Sequence, residues 1–314
     1  MGLPFSEQWR RGRSGTSYVL LTLVLVVAAS LLSVWFAVIR TLIASEAVRT
    51  RGFDPGDFTP ESVGFTQPVF LALILLPFLF GLVALLGAVR LVHQRSPLTL
   101  IAGGVGRVRW SRLVGAFLTW TAIVVVGEAL GARLQGREVV FNQFSGEFLA
   151  SVGVVVVLVP LQVAFEELLF RGYLHQELVR VAHRPWLAVC ITSLVFGGLH
   201  YSNPEVARFG LAVMAPYYVS VGLFLAGLSV ADDGLEIPLG IHLGTNLLGA
   251  AVINYDGSAL PTLTLVTVSA NSGLGILTQF ALQAATFAGL YTFLPALRRQ
   301  LDWSRLRASN PPTP

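Results

Sequence analysis

The sequence predicts an all-α fold, a polytopic membrane helix bundle of about eight transmembrane helices, and three observations predict it. Hydrophobic residues make up 54% of the 314-residue chain and charged residues only 12%, against roughly 25% charged residues in soluble domains. Apolar runs such as YVLLTLVLVVAASLLSVWFAVI are long enough, at about 1.5 Å per residue, to cross the hydrocarbon core of a bilayer. The arginines collect at the ends of alternate runs instead of forming one patch, which is how charge orients a membrane protein.

Taken in order, the apolar runs bounded by charges, Pro or Gly lie at about residues 18 to 40, 68 to 92, 111 to 133, 147 to 182, 185 to 201, 208 to 230, 236 to 254 and 276 to 297. The first is about 22 residues long, beyond the roughly 7 to 15 of a signal-peptide core, so it reads as an uncleaved span. Arg10, Arg11 and Arg13 precede it. Arg90, Arg95, Arg107, Arg109 and Arg112 separate the second and third runs, Arg180 and Arg184 follow the fourth, and Arg298, Arg299, Arg305 and Arg307 follow the last. Eight spans put all of these clusters on one side, so both termini are predicted to be cytoplasmic. The resulting organisation is an N-terminal tail (1–17), a transmembrane bundle (18–297) with a motif-bearing core (147–254), and a C-terminal tail (298–314). The last residues, ASNPPTP, have the composition of disordered chain.

The remaining local features fit this frame. Trp110, Trp186 and Trp303 adjoin arginines, where an interfacial aromatic belt places them. The ADDGLE loop is acidic on the arginine-rich side, but acidic residues count little toward orientation. On the opposite side, EAVRTRGFDPGDFTPESVGFTQP is rich in turn residues, and NYDGSALPTLTLVTVSANSG is apolar enough to be re-entrant or surface-lying. All 21 basic residues are arginine, a compositional bias with no mechanism attached. Their dispersal argues against nucleic-acid binding. Cys190, the single cysteine, excludes an internal disulfide and a cysteine metal cluster.

The fourth run contains VAFEELLFRGYLHQEL, with Glu166, Glu167 and Arg171 inside an otherwise apolar helix. A central charge costs about 2.5 to 3.5 kcal/mol on insertion scales, so three such residues must face the bundle interior. Glu167 and Arg171 are four apart and can pair, with the glutamate in the favourable N-terminal position. Glu166 lies about 100° around the helix and is less compensated. It is therefore the candidate for chemistry, with Glu167 and Arg171 as orienting structure. A purely structural charge network is the competing reading.

Antiparallel folding at VAHRP brings in a partner. Glu166 and His200 are each 17 residues from His183, so both sit roughly 25 Å from the turn. Phe196 lies one turn before His200 on the same face. In IPLGIHLGTNLLG, His242 and Asn246 share a face at i and i+4, while Gly240 and Gly244 form a small-xxx-small pattern suited to close backbone approach. His242 is only nine residues from Asp233. Either that turn is sunk, or its helix starts higher.

A glutamate, two histidines and an asparagine in a dry bundle offer a base and oxyanion donors but no evident nucleophile. The matching reaction is attack of activated water on an amide. Glu166 with His200 takes the proton from water, and His242 with Asn246 stabilises the tetrahedral oxyanion. The HExxH motif is absent, and Tyr255-Asp256 in NYDG has no GxGD partner. The expectation is no cofactor. A divalent metal such as zinc is the alternative, disfavoured by the absence of tight ligand spacing.

EELLFR, FGGLH and HLGTN together resemble the EExxxR, FxxxH and HxxxN motifs, in order, of the CPBP family of CAAX-type proteases and bacteriocin-processing, Abi-like self-immunity proteins. The resemblance covers about residues 147 to 254. It implies an eight-helix intramembrane glutamic endopeptidase in which Glu166 and His200 activate water while His242 and Asn246 form the oxyanion site. The implied partners are a peptide or protein substrate in or at the membrane and the lipid bilayer itself, with no nucleic acid. The expected location is a bacterial plasma membrane. In eukaryotic relatives the substrate is a prenylated CAAX segment. Two other readings compete: a non-catalytic scaffold or immunity factor using the same polar cluster for binding, and a proton-coupled transporter, which would require inverted repeats and broken helices not evident in the sequence. Oligomeric state has no signature in the sequence.

Overall fold

The computed structural model describes residues 2–52, 59–104, 106–255, 258, 260, 262–269, 272–294 and 301–307. Arg298, Arg299, Asp256 and the ASNPPTP tail lie outside the described residues. Helices form at each of the eight expected places: α1 (Thr16–Ala44), α2 (Gln67–Leu91), α3 (Trp110–Gln135), α4 (Gly146–Ala182), α5 (Pro185–Leu199), α6 (Leu211–Ala231), α7 (Glu236–Ala251) and α8 (Gly273–Phe293). Of these, α1, α2, α3, α4 and α6 are long and apolar enough to cross a membrane. With 15 and 16 residues, α5 and α7 are shorter than the roughly 20 residues of a complete crossing.

The bundle is turned outward relative to a water-soluble protein. Leu20, Val24, Leu31, Val83, Leu118, Val156 and Leu194 are exposed, whereas Gln162, Glu166, Glu167, Arg171, Gln176 and Glu177 are buried. Apolar side chains facing outward and charges facing inward suit a lipid solvent, and the protein is an integral membrane protein.

At the centre lies α4, with α2 along its first half, α7 across it and α5 folded back against its C-terminal part. Phe165, Leu169, Phe170 and Tyr173 of α4 meet Leu82, Leu85, Val89 and Phe196 in one apolar cluster. The hairpin turn is as the spacing predicts: His183 takes a left-handed conformation (φ 54°) and Pro185 opens α5, where its missing N–H is no loss. Gly240 and Gly244 allow α7 to lie directly on α3. A Cβ on Gly244 would fall 2.8 Å from Thr121 Oγ1, and one on Gly240 would strike the Leu113 carbonyl.

The ADDGLE turn is buried within the protein. Asp232 and Glu236 side chains are fully buried; Arg109 reaches both of them, and Arg112 reaches Asp232. Asp233 accepts from the Phe5 amide at 2.7 Å and the Gly104 amide at 3.2 Å, and Arg305 approaches it at 3.4 Å. These arginine partners neutralise the acidic loop locally. The N-terminal segment also bonds the turn after α2, where Arg13 N–H donates to the His93 carbonyl at 2.7 Å. The described residues 2–13 and 301–307 therefore gather at the same end of the bundle.

At the opposite end is a small sheet that the sequence reading did not anticipate. It consists of β1 (Val139–Phe141), β2 (Ile253–Asn254) and β3 (Val266–Val268), in the order β1-β3-β2. β1 and β3 are antiparallel with Val140 opposite Thr267, and β2 and β3 are parallel with Ile253 opposite Val266. Asn254 and Val266–Val268, within the segment expected to be re-entrant or surface-lying, thus pair as strands, the first of them just after the helix that carries His242 and Asn246.

Candidate active site

The site is built on α4, α5, α6 and α7. Glu167 closes the α-helical part of α4, and the next seven residues, Leu168–Leu174, form a π-helical stretch. Such widened turns recur at functional sites. A Cβ on Gly172 within it would lie 2.7 Å from the Leu100 carbonyl, so only glycine lets this stretch press against the turn formed by Pro97–Leu100.

Glu167 and Arg171 pair as their spacing predicts, with Arg171 Nη1 2.9 Å from Glu167 Oε1 and both side chains essentially inaccessible. The Arg171 guanidinium also lies 4.1 Å over the Phe196 ring, a cation–π contact that joins α4 to α5. The same Glu167 oxygen accepts from His242 Nδ1 at 2.7 Å. A carboxylate oxygen cannot donate, so Nδ1 carries the proton and Nε2 is left for chemistry. His242 Nε2 in turn lies 3.6 Å from Glu166 Oε2, an electrostatic contact slightly too long for a hydrogen bond. The imidazole therefore stands between the two glutamates.

Glu166 and Asn246 are joined by a residue that sequence reasoning missed. Gln162, one turn before Glu166, donates from Nε2 to Glu166 Oε1 at 2.6 Å and accepts at Oε1 from Asn246 Nδ2 at 3.0 Å. The same i, i+4 rule that paired Glu167 with Arg171 could have flagged it, since a glutamine is conspicuous in VVVVLVPLQVAFEE.

His200 lies on the other side of Phe196. Its Nδ1 donates to the Phe196 carbonyl at 2.7 Å, so Nε2 is the atom left free here as well. Its ring is stacked between Phe196 at 4.4 Å and Tyr218 at 4.5 Å. Phe196 also stands 6.4 Å from His242, making it the wall shared by both imidazoles. No direct hydrogen bond joins Glu166 to His200 among the described residues. The structure thus gathers Glu166, Glu167, Arg171, His242 and Asn246 in one bonded cluster and sets His200 beside it across Phe196. No group of three His, Cys, Asp or Glu side chains is placed to hold a metal ion among the described residues.

This cluster falls within the segment that matches a known family. The family model described as Type II CAAX prenyl endopeptidase Rce1-like matches residues 147–248. Over that segment the chain is similar to this family. The match agrees with the resemblance carried by the three motifs, and the matched segment contains Glu166, Glu167, Arg171, Phe196, His200, His242 and Asn246. The protein named Uncharacterized protein YyaK of Bacillus subtilis (strain 168) is 26% identical over 194 residues, covering 60% of this chain and 64% of that relative. The chain therefore spans less than two thirds of that relative's length. No solved structure matches the chain.

Proposed function

We propose that the protein is an intramembrane endopeptidase that hydrolyses a peptide bond of a membrane-associated or lipidated substrate. One observation carries the reading: His242 is held between Glu167 and Glu166 at 2.7 and 3.6 Å, deep among apolar helices, in a segment matching a family of endopeptidases. Glu166 is the base. Its Oε1 is fixed by Gln162, leaving Oε2 to take a proton from water, with His200 assisting through Nε2. The water oxygen bonds to the scissile carbonyl carbon. The developing oxyanion is met by Asn246 and by His242. Collapse of the tetrahedral species breaks the C–N bond, and the proton held by Glu166 passes to the leaving amine. Glu167 and Arg171 orient His242 and require no metal to do so.

The protein is proposed to reside in a bacterial plasma membrane with both termini cytoplasmic. The arginine clusters support that orientation, as does the gathering of residues 2–13 and 301–307 at one end of the bundle. The test is a comparison of membrane-protein termini, by mass spectrometry, in cells carrying the wild type or Glu166→Gln. A protease yields termini present with the wild type and lost in the variant, at equal expression. A scaffold or immunity factor yields the same termini in both.

A further inference from the structure

Among the buried carboxylates outside that mechanism, Glu205 stands near His200 in the chain. Glu205, in the short helix Pro204–Phe209 after His200, is 6% exposed. Its Oε2 accepts from the Tyr218 hydroxyl at 2.7 Å and its Oε1 from the Tyr255 hydroxyl at 3.0 Å. Asn203 Nδ2 donates to the same Tyr218 oxygen at 3.1 Å. Tyr218 belongs to α6 and stacks on His200; Tyr255 follows β2, which continues from the end of α7. One carboxylate therefore links the chain that carries His200 to the chain that carries His242 and Asn246. Burial pushes the Tyr255 phenol upward from its ordinary range, so it stays a hydrogen-bond donor.

We infer that Glu205 is a positioning residue for the proposed hydrolysis, acting through Tyr218 on the His200 imidazole and through Tyr255 on the outer end of α7. The reasoning is geometric. The His200 Nδ1 bond to the Phe196 carbonyl fixes one ring atom but leaves the imidazole plane free to swing about it. Phe196 blocks one face, and the Tyr218 ring, 4.5 Å away at 32°, blocks the other. A tyrosine can hold that place only if its far end is tethered, and Glu205 with Asn203 provides the tether. Charge-assisted bonds of this kind are stronger and more directional than neutral ones. Misplacing a reacting group by about 1 Å costs on the order of 100-fold in rate, so a loosened Tyr218 acts on turnover more than on substrate binding.

This inference rests on the protease reading, and its test separates the two. Purified wild type, Glu205→Ala, Glu205→Gln, Tyr218→Phe and Glu166→Gln are compared in two assays. The first measures the rate of carbethoxylation of His200 by diethyl pyrocarbonate, read by peptide mass spectrometry, which requires no activity. The second measures kcat and KM on a substrate found by comparing termini. Glu205→Ala is expected to raise His200 labelling several-fold and to lower kcat by roughly 10- to 100-fold with KM little changed. Tyr218→Phe, which keeps the ring but loses the tether, is expected to shift both in the same direction. Glu205→Gln, which can still bond both phenols, is expected to restore both toward wild type and so exclude a mere folding defect. Unchanged His200 labelling in Glu205→Ala and Tyr218→Phe overturns the inference. Altered labelling in those variants with no cleavage by wild type overturns the protease reading and leaves the tether standing.

Discussion

Replacing Arg171 by methionine removes the cation and keeps the approximate length of the side chain. In the wild type, Glu167 is fully inaccessible and holds Arg171 at 2.9 Å and His242 at 2.7 Å through one oxygen. Breaking a buried pair by removing one partner costs about 3–5 kcal/mol, because the remaining charge stays desolvated. Loss of the contact between Arg171 and Phe196 adds about 0.5–2 kcal/mol. His242 remains hydrogen-bonded to Glu167 at 2.7 Å and offsets part of this total. Arg171→Met is therefore expected to destabilise the protein by about 3–5 kcal/mol, measured by SDS titration of the purified protein in mixed micelles with tryptophan fluorescence as readout. Glu167→Gln keeps an amide oxygen that accepts from Arg171 and His242 but leaves the buried Arg171 cation without its counter-charge, and should likewise cost about 3–5 kcal/mol. The double variant Glu167→Leu/Arg171→Met should recover at least half of the loss, since a buried pair exchanged for apolar groups is close to neutral. An Arg171→Met variant within about 0.5 kcal/mol of wild type, or a double variant worse than both singles combined, would refute the buried-pair argument.

Further predictions follow from other contacts. Gln162→Leu removes the link between Glu166 and Asn246 and should lower turnover by roughly 10- to 100-fold while leaving the melting temperature within a few degrees; an unchanged rate counts against the link. Gly244→Val forces branched carbons onto Thr121 and should cost about 1–3 kcal/mol by overpacking, whereas Gly249→Val, where a Cβ meets nothing, should be nearly neutral in the same titration. His93, buried and bonded through Nδ1 to the Arg13 carbonyl and through Nε2 to Tyr173, has its pKa lowered from 6.5, chiefly by burial. The unfolded chain then binds the extra proton first, so the stability His93 contributes is complete above pH 6.5 and is lost as pH falls through the lower folded value. The difference in melting temperature between wild type and His93→Gln should shrink on acidification from pH 7.5 to 5.5, and a difference independent of pH contradicts this. Overnight dialysis against a strong chelator should leave cleavage intact; a loss restored by zinc would favour the metal alternative.

Much of this architecture is legible in the sequence because membrane helices are specified locally. Their length, apolar faces and flanking arginines lie within one stretch of chain, and the eight helices appear where the runs place them. The Glu167–Arg171 pair, the turn at His183 and the close approach of Gly240 and Gly244 are equally local, each set by helical periodicity. What escaped the sequence is non-local. The strands are two or three residues long, and Val140 pairs with Thr267 across a wide gap in the chain, so no alternating pattern announces them. Tyr218, Glu205 and Tyr255 meet only after three elements have packed. The acidic ADDGLE turn looked out of place among the arginines because its partners, Arg109 and Arg112, lie at the start of α3, more than a hundred positions earlier. Their pairing buries the turn and lets His242 reach the glutamates of α4.

The most direct measurement is oxygen labelling of the products. Purified wild type and Glu166→Gln are reconstituted in proteoliposomes with extracted membrane proteins in water enriched in oxygen-18, and new C-termini are analysed by mass spectrometry. Hydrolysis by water held at Glu166 predicts one heavy oxygen on each new carboxylate with the wild type and no such termini with the variant. Equal labelled termini from both proteins, or none from either, would contradict it.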